Sequence, residues 1–358
     1  MKIHVIGTRG FPRIEGGVEK HCEVLYPLLN DDIEICVYRR KPFVCAQEEY
    51  DNITFIDLPS TQIKGVEAVL HSFLATMHAL FRKPDAVHYH NIGPAMFSPL
   101  LKLRKIPVVL TFHSPNYEHK KWGNFARKLL LFSEKIALKT ADSIIFVNRF
   151  QMEKYPKDIR EKSVYIPNGV KLPTFSPNTD FLAKIGAEPN KYILSVGRIT
   201  QEKGFDTLIK AYCHSDITDM KLVIAGGAQF ETAYLEQLKK LAGDRDVMFT
   251  GDVFGDQLAQ LYTHAGLYVL ASNNEGFPLV LLEAMSYHLD VLVSDIPATH
   301  LVDLPQDDYF PRADAMALSQ KLKEKIQNLR KVEYDLSEYN WNRVARAVSE
   351  LFYKVVGR

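Results

Sequence analysis

VYIPNGVKLPTFSPNTD, residues 164–180, followed by YILSVGR, residues 192–198, divides this chain into two similar halves. Pro167, Asn168, Gly169, Pro173 and Pro177 punctuate the first stretch, and a β-rich run then starts afresh. Upstream, such runs alternate with helical patterns: KIHVIG (2–7), a helix from about Val18, IEICVY (33–38), ITFID (53–57), a helix from Val66 to Leu80, AVHYH (86–90), VVLTFH (108–113) and SIIFVN (143–148). Downstream the alternation resumes through YILSVG, KLVIAGG (221–227), a helical stretch at 234–241, VMFTGDV (247–253), LYVLAS (267–272) and DVLVSD (290–295). This grammar predicts an α/β protein with two Rossmann-like lobes, each a parallel sheet wrapped by helices. Ligand sites are expected beyond the carboxyl ends of the strands. The boundaries read as 1–169, 170–336 and a closing segment, 337–358.

A length of 358 residues suits two domains of common size, and 46% hydrophobic with 24% charged residues excludes a disordered chain. The net charge of +1 conceals an asymmetry: residues 1–168 hold 24 Lys/Arg against 18 Asp/Glu, and the remainder 20 against 25. A basic lobe can face an acidic membrane or a phosphorylated substrate, but an excess this small is more often solvated surface, and no nucleic-acid partner is expected. Cys22, Cys36, Cys45 and Cys213 match neither a disulfide framework nor a zinc motif and read as free thiols of the cytoplasm. The opening MKIHVIG enters a strand directly, without the features of a signal peptide, and no apolar run is long enough to span a bilayer.

Trp341, Val344, Val348, Leu351, Phe352 and Val355 recur at helical spacing in a final segment that Ser337 can cap. Their stripe must dock, and the pattern allows either lobe.

The strongest chemical signal is EGFPLVLLEAM, from Glu275 to Met285, after the strand LYVLAS. Pro278 suits a first helical turn and Gly276 permits close backbone approach. The Leu279 and Val280 amides then face a helix N-terminus that favours an anion such as phosphate. Glu275 and Glu283 flank that end. Carboxylates repel phosphate but accept hydrogen bonds from vicinal hydroxyls, so one can hold a ribose and the other a sugar ring. Ordinary first-turn helix acids are the competing reading.

Gly197-Arg198-Ile199-Thr200-Gln201-Glu202-Lys203-Gly204 follows the strand YILSV, so Arg198 and Lys203 leave one strand end as two cations suited to a diphosphate. In the first lobe, Gly16 and Gly17 open a helix where a phosphate or acceptor can approach, although two loop glycines often mark only a turn. His113 closes VVLTFH and is the leading polar group of this lobe. His88 and His90, with His113 and His119, invite a metal reading, but no Cys or clustered carboxylate completes the set; locally satisfied histidines, and no metal, are expected. Asp244-Arg245-Asp246 precedes a strand and reads as a loop. Within 120–140, Lys120, Lys121, Arg127, Lys128, Lys135 and Lys139 mix with Trp122, Phe125, Leu129, Leu130, Leu131 and Phe132. This suits either an interfacial helix on an anionic bilayer or a packed helix with a basic outer face.

EGFPLVLLEAM, GRITQEKG (197–204), PNGV (167–170) and GGVE (16–19) together resemble the retaining GT-B glycosyltransferases of family 4 over nearly the whole chain. The opening GTRGFPRIEGGVEKHCE (7–23) looks like bacterial members of capsule, O-antigen and exopolysaccharide assembly, including rhamnosyltransferase-like ones. The resemblance implies a deep cleft between the lobes, with the acceptor on the first and the nucleotide sugar on the second. It implies that Arg198 and Lys203 bind the donor diphosphate, Glu283 the ribose, and Glu275 with the Phe277–Val280 backbone the sugar and phosphates. His113 would meet the sugar, Val253 would lie near the base, and the last helix would return to the first lobe.

The expected function is transfer of a hexosyl or deoxyhexosyl unit from a nucleotide-diphosphate donor to a glycan or lipid-linked acceptor. No metal is required, because preorganised cations and helix amides stabilise the leaving diphosphate, and no further cofactor is implied. A nucleotide-sugar epimerase is the alternative enzyme class, and a non-catalytic sugar-nucleotide binding module the other.

Overall fold

The computed structural model describes the chain apart from residues 15, 45, 47, 62, 64, 115–123, 229–231 and 358. It forms two compact units, Met1–Gly169 with Glu338–Arg358, and Val170–Ser337.

In the first unit, β1 (Lys2–Ile6), β2 (Glu34–Arg40), β3 (Ile53–Leu58), β4 (Ala86–His90), β5 (Val108–Phe112), β6 (Ser143–Phe146) and β7 (Ser163–Tyr165) form one parallel sheet. Its order is β3-β2-β1-β4-β5-β6-β7, so the direction of winding reverses between β1 and β4. Strands β4 and β5 are buried along their whole length, the mark of a sheet covered on both faces. On one face Ile3, Val5 and Ile35 pack with Leu25, Val344, Val348 and Phe352. On the other, Ile6, Val87 and Leu110 pack with Ala75, Ala79, Ala137 and Leu138.

The final helix, Trp341–Val356, therefore covers the first sheet beside helix Gly17–Leu25. The Asn30 amide donates to Ser349 Oγ at 3.3 Å, and a Cβ at Gly169 would lie 2.4 Å from the Trp341 ring. Its cap differs from the sequence expectation. Asn340 Oδ1 accepts from the Asn342 and Arg343 amides, whereas Ser337 begins a separate turn, Ser337–Tyr339. Asn340 directly precedes the apolar stripe, so its side chain reaches the first free amides.

The second unit holds β8 (Tyr192–Val196), β9 (Lys221–Ala225), β10 (Val247–Phe249), β11 (Leu267–Leu270), β12 (Val291–Asp295) and β13 (Tyr309–Pro311). All are parallel, in the order β10-β9-β8-β11-β12-β13. The winding reverses between β8 and β11. Asp244-Arg245-Asp246 forms the loop before β10, where the Arg245 guanidinium donates to Ile217 O at 2.7 Å and Asp246 pairs with Lys221 at 3.1 Å. Those contacts are structural.

Candidate active site

In a doubly wound sheet the loops that leave adjacent strands on either side of the reversal diverge and open a crevice. In the second unit those loops follow β8 and β11, and they carry GRITQEKG and SNNEGFP. Gly204 sits at φ 63°, and a Cβ there would lie 2.0 Å from Ala271 O, so only glycine lets the 201–204 turn press on the end of β11. The Asn273 amide donates to Glu202 O at 2.7 Å and fastens the two loops.

That fastening places Lys203 Nζ 2.6 Å from Glu275 Oε1, with the two side chains only 15% and 10% exposed. Ser272 Oγ donates to the same carboxylate oxygen at 2.6 Å, and Ser294 Oγ in turn donates to Ser272 O. The pair is thus held from behind by β11 and β12. An ammonium has three N–H donors, and Glu275 takes one of them. Arg198 is exposed and lies 4.0 Å from Glu202. Glu283 projects from helix Leu279–Ser286, where Tyr262 O–H donates to it at 3.2 Å. Burial, followed by the Glu283 charge, pushes the Tyr262 phenol far up, so it remains a donor.

The expectation for the helix amides needs correction. Leu279 N–H is already engaged with Phe277 O at 3.0 Å, and Leu281 N–H with Pro278 O at 3.0 Å. The tight turn at Pro278 curls the chain back on itself, which leaves Val280 as the first-turn donor without a helical acceptor. Gly276 and Phe277 are half-buried beside it, and Val253 is buried after β10.

The first unit's crevice belongs to the ends of β1, β4 and β5. Gly16 has φ 147°, and its missing Cβ makes room for Glu19, whose Oε2 would otherwise lie 1.9 Å away. The Glu19 carboxylate accepts from the Arg9 amide at 3.0 Å and occupies the first turn of this helix. Gly16 therefore makes room for the protein's own Glu19 carboxylate, whereas Gly17 has open space at its Cβ position.

At the strand ends, His113 Nε2 lies 2.9 Å from His90 Nδ1, and His90 Nε2 lies 2.6 Å from Tyr26 Oη. Tyr26 Oη is also 2.9 Å from His88 Nδ1, while His88 Nε2 is 2.7 Å from Thr111 Oγ1. Burial, reinforced by neighbouring imidazoles, holds His90 and His113 well below the ordinary histidine range, and burial takes His88 to about 3. His21 completes the cluster at about 4, lowered by burial. These rings are neutral at pH 7. His119 lies outside the described residues, as do Lys120, Lys121 and Trp122.

Sequence reasoning missed Ser272, Tyr262 and His21. Ser272 stands three residues before Glu275, a signal open to reading; Tyr262 and His21 lie on buried helix faces that look like any core position.

Two doubly wound parallel sheets, the second with a lysine–carboxylate pair at its winding reversal, define the GT-B glycosyltransferase architecture. The chain belongs to the glycosyltransferases: residues 15–172 match the model described as Glycosyltransferase Family 4, and residues 178–336 that described as Glycosyl transferases group 1. Over 328 residues it is 29% identical to an uncharacterised glycosyltransferase of Methanocaldococcus jannaschii, covering 83% of this chain and 81% of that one. It is 27% identical to the phosphatidyl-myo-inositol mannosyltransferase of Mycobacterium leprae, covering 76% and 74% of the two chains. HepE of Anabaena, solved in complex with UDP-glucose, shares the fold with a TM-score of 0.74 at 18% identity, over 100% of this chain and 96% of that one. The epimerase alternative gains nothing from these matches. No helix among the described residues is long and apolar enough to cross a membrane.

Proposed function

We propose that this enzyme transfers a hexosyl or deoxyhexosyl unit, with retention, from a nucleoside diphosphate sugar to a glycan or lipid-linked acceptor of bacterial surface polysaccharide. The observation that carries this reading is the Lys203–Glu275 pair at the β8/β11 reversal. Lys203 and the exposed Arg198 meet the diphosphate and stabilise the charge that grows as the glycosidic bond breaks, so no metal is needed there. Glu283 accepts from the ribose hydroxyls, Glu275 from the sugar, and Val280 N–H with the Gly276–Pro278 backbone lines the phosphates. Val253 backs the base. From the first domain, Gly17 offers close backbone approach and His113 a hydrogen bond to the sugar.

The bound UDP-glucose of HepE and the lipid that gives the mannosyltransferase its name support donor and acceptor classes of this kind. Helix Asn124–Thr140 exposes Leu131 and Phe132 beside Lys128, Lys135 and Lys139, which suits docking at the inner face of an anionic membrane.

The test is transfer and donor binding across UDP, GDP and TDP sugars. Arg198→Ala removes an exposed fork and should lower kcat/KM about 10- to 100-fold, the worth of a charge-assisted hydrogen bond. Glu283→Gln should weaken donor binding with the circular dichroism unchanged. Full activity in both variants refutes the assignment.

A further inference from the structure

We propose that His21, His90 and His113 form a three-imidazole site for a divalent cation of the zinc class in the first domain. One nitrogen from each ring lies within 4.8 Å of the other two. The rings come from three elements: helix Gly17–Leu25, the end of β4 and the residue after β5. The sequence displays the two strand-end histidines, but not that His21 joins them from a helix.

His21 carries the argument. Its Nδ1 lies 2.7 Å from Asn168 Oδ1, an acceptor, so Nδ1 holds the proton and Nε2 presents a lone pair. Among the described residues that Nε2 is buried without a hydrogen-bond partner, on a residue only 4% exposed. The ring stands 5.0 Å from His113 and 5.6 Å from His90, centroid to centroid. A lone pair aimed into a group of imidazoles, with the opposite nitrogen tethered to an oxygen, is how metal-binding histidines are oriented.

His90 repeats the pattern. Its Nδ1 lies 2.9 Å from His113 Nε2, and Tyr26 Oη, 2.6 Å from Nε2, can accept a hydrogen bond from the N–H that metal binding fixes there. His88 is excluded, because Tyr26 and Thr111 hold both its nitrogens. Tetrahedral zinc with bonds of about 2.0–2.1 Å sets its nitrogens about 3.3 Å apart, so the 2.9 Å contact of His90 and His113 opens by about 0.4 Å. His113 is half-buried, the least enclosed of the three rings. Three imidazoles without a carboxylate select zinc-class ions over magnesium or manganese. Zinc on His113 Nε2 fixes its other proton on Nδ1 and makes that atom a donor.

The experiment uses the full chain without sugars, so its outcome is separate from the transfer reading. Chelator-treated protein is dialysed against zinc and its metal content measured by mass spectrometry. Wild type and the exposed-site control His214→Ala should retain stoichiometric zinc, and His21→Ala should lose more than tenfold in affinity. Because His21 is buried, cobalt(II) loading of wild type supplies a second readout that needs no variant: intense visible bands of a tetrahedral nitrogen-ligated ion. Substoichiometric zinc in wild type, undiminished affinity in a natively folded His21→Ala, or a weak octahedral cobalt spectrum overturns the proposal.

Discussion

Lowering the pH from 7 to 5 should destabilise the first domain through its buried histidines. Burial takes His4, His21 and His71 from 6.5 to about 4, and His88 to about 3. Because the folded values lie below the unfolded one, the unfolded chain binds more protons throughout that window. Stability is therefore fully present above pH 6.5 and is lost as the pH falls toward 4. From pH 7 to 5 each histidine costs about 1.8 kcal/mol, and the four together about 7 kcal/mol, as much as many domains possess. His90 and His113 act in the same direction. The window lies above the ordinary carboxylate range, so the slope reports histidine. Urea unfolding followed by the fluorescence of the chain's two tryptophans, Trp122 and Trp341, at pH 7, 6 and 5 measures it. His71→Gln, in helix Val66–Arg82 and away from the strand-end cluster, should remove one proton from the slope. A loss below about 2 kcal/mol between pH 7 and 5, or an unaltered slope in His71→Gln, would refute the reasoning.

Gly204→Ala should cost more than about 1 kcal/mol in thermal unfolding and weaken donor binding, since its Cβ meets Ala271 O at 2.0 Å and forces the 201–204 turn off β11. Lys325 bridges Asp290 and Asp308, which are 1% and 3% exposed; Lys325→Met takes the cation from Asp308 and leaves Asp290 with Arg330 at 3.5 Å, and should cost about 3 kcal/mol in urea unfolding. Phe352→Ala empties a fully buried position between the last helix and the first sheet and should cost about 3–5 kcal/mol, read as an earlier melt.

The sequence alone determined the two parallel sheets, because strands buried on both faces must be continuous apolar runs separated by helical patterns, and KIHVI, VVLTF and YILSV are such runs. It left β7 and β13 unread, since SVY and YFP lack an apolar run like the VMF of the equally short β10. It named Lys203 and Glu275 as separate ligands of phosphate and sugar, because residues 72 positions apart show no sign of contact. Only the tertiary structure joined them, by pressing one glycine turn onto the end of β11. The same holds for the histidines: AVHYH and VVLTFH displayed three of them, but His21 enters from a helix face, and a lone pair without a partner exists only once the chain has closed around it.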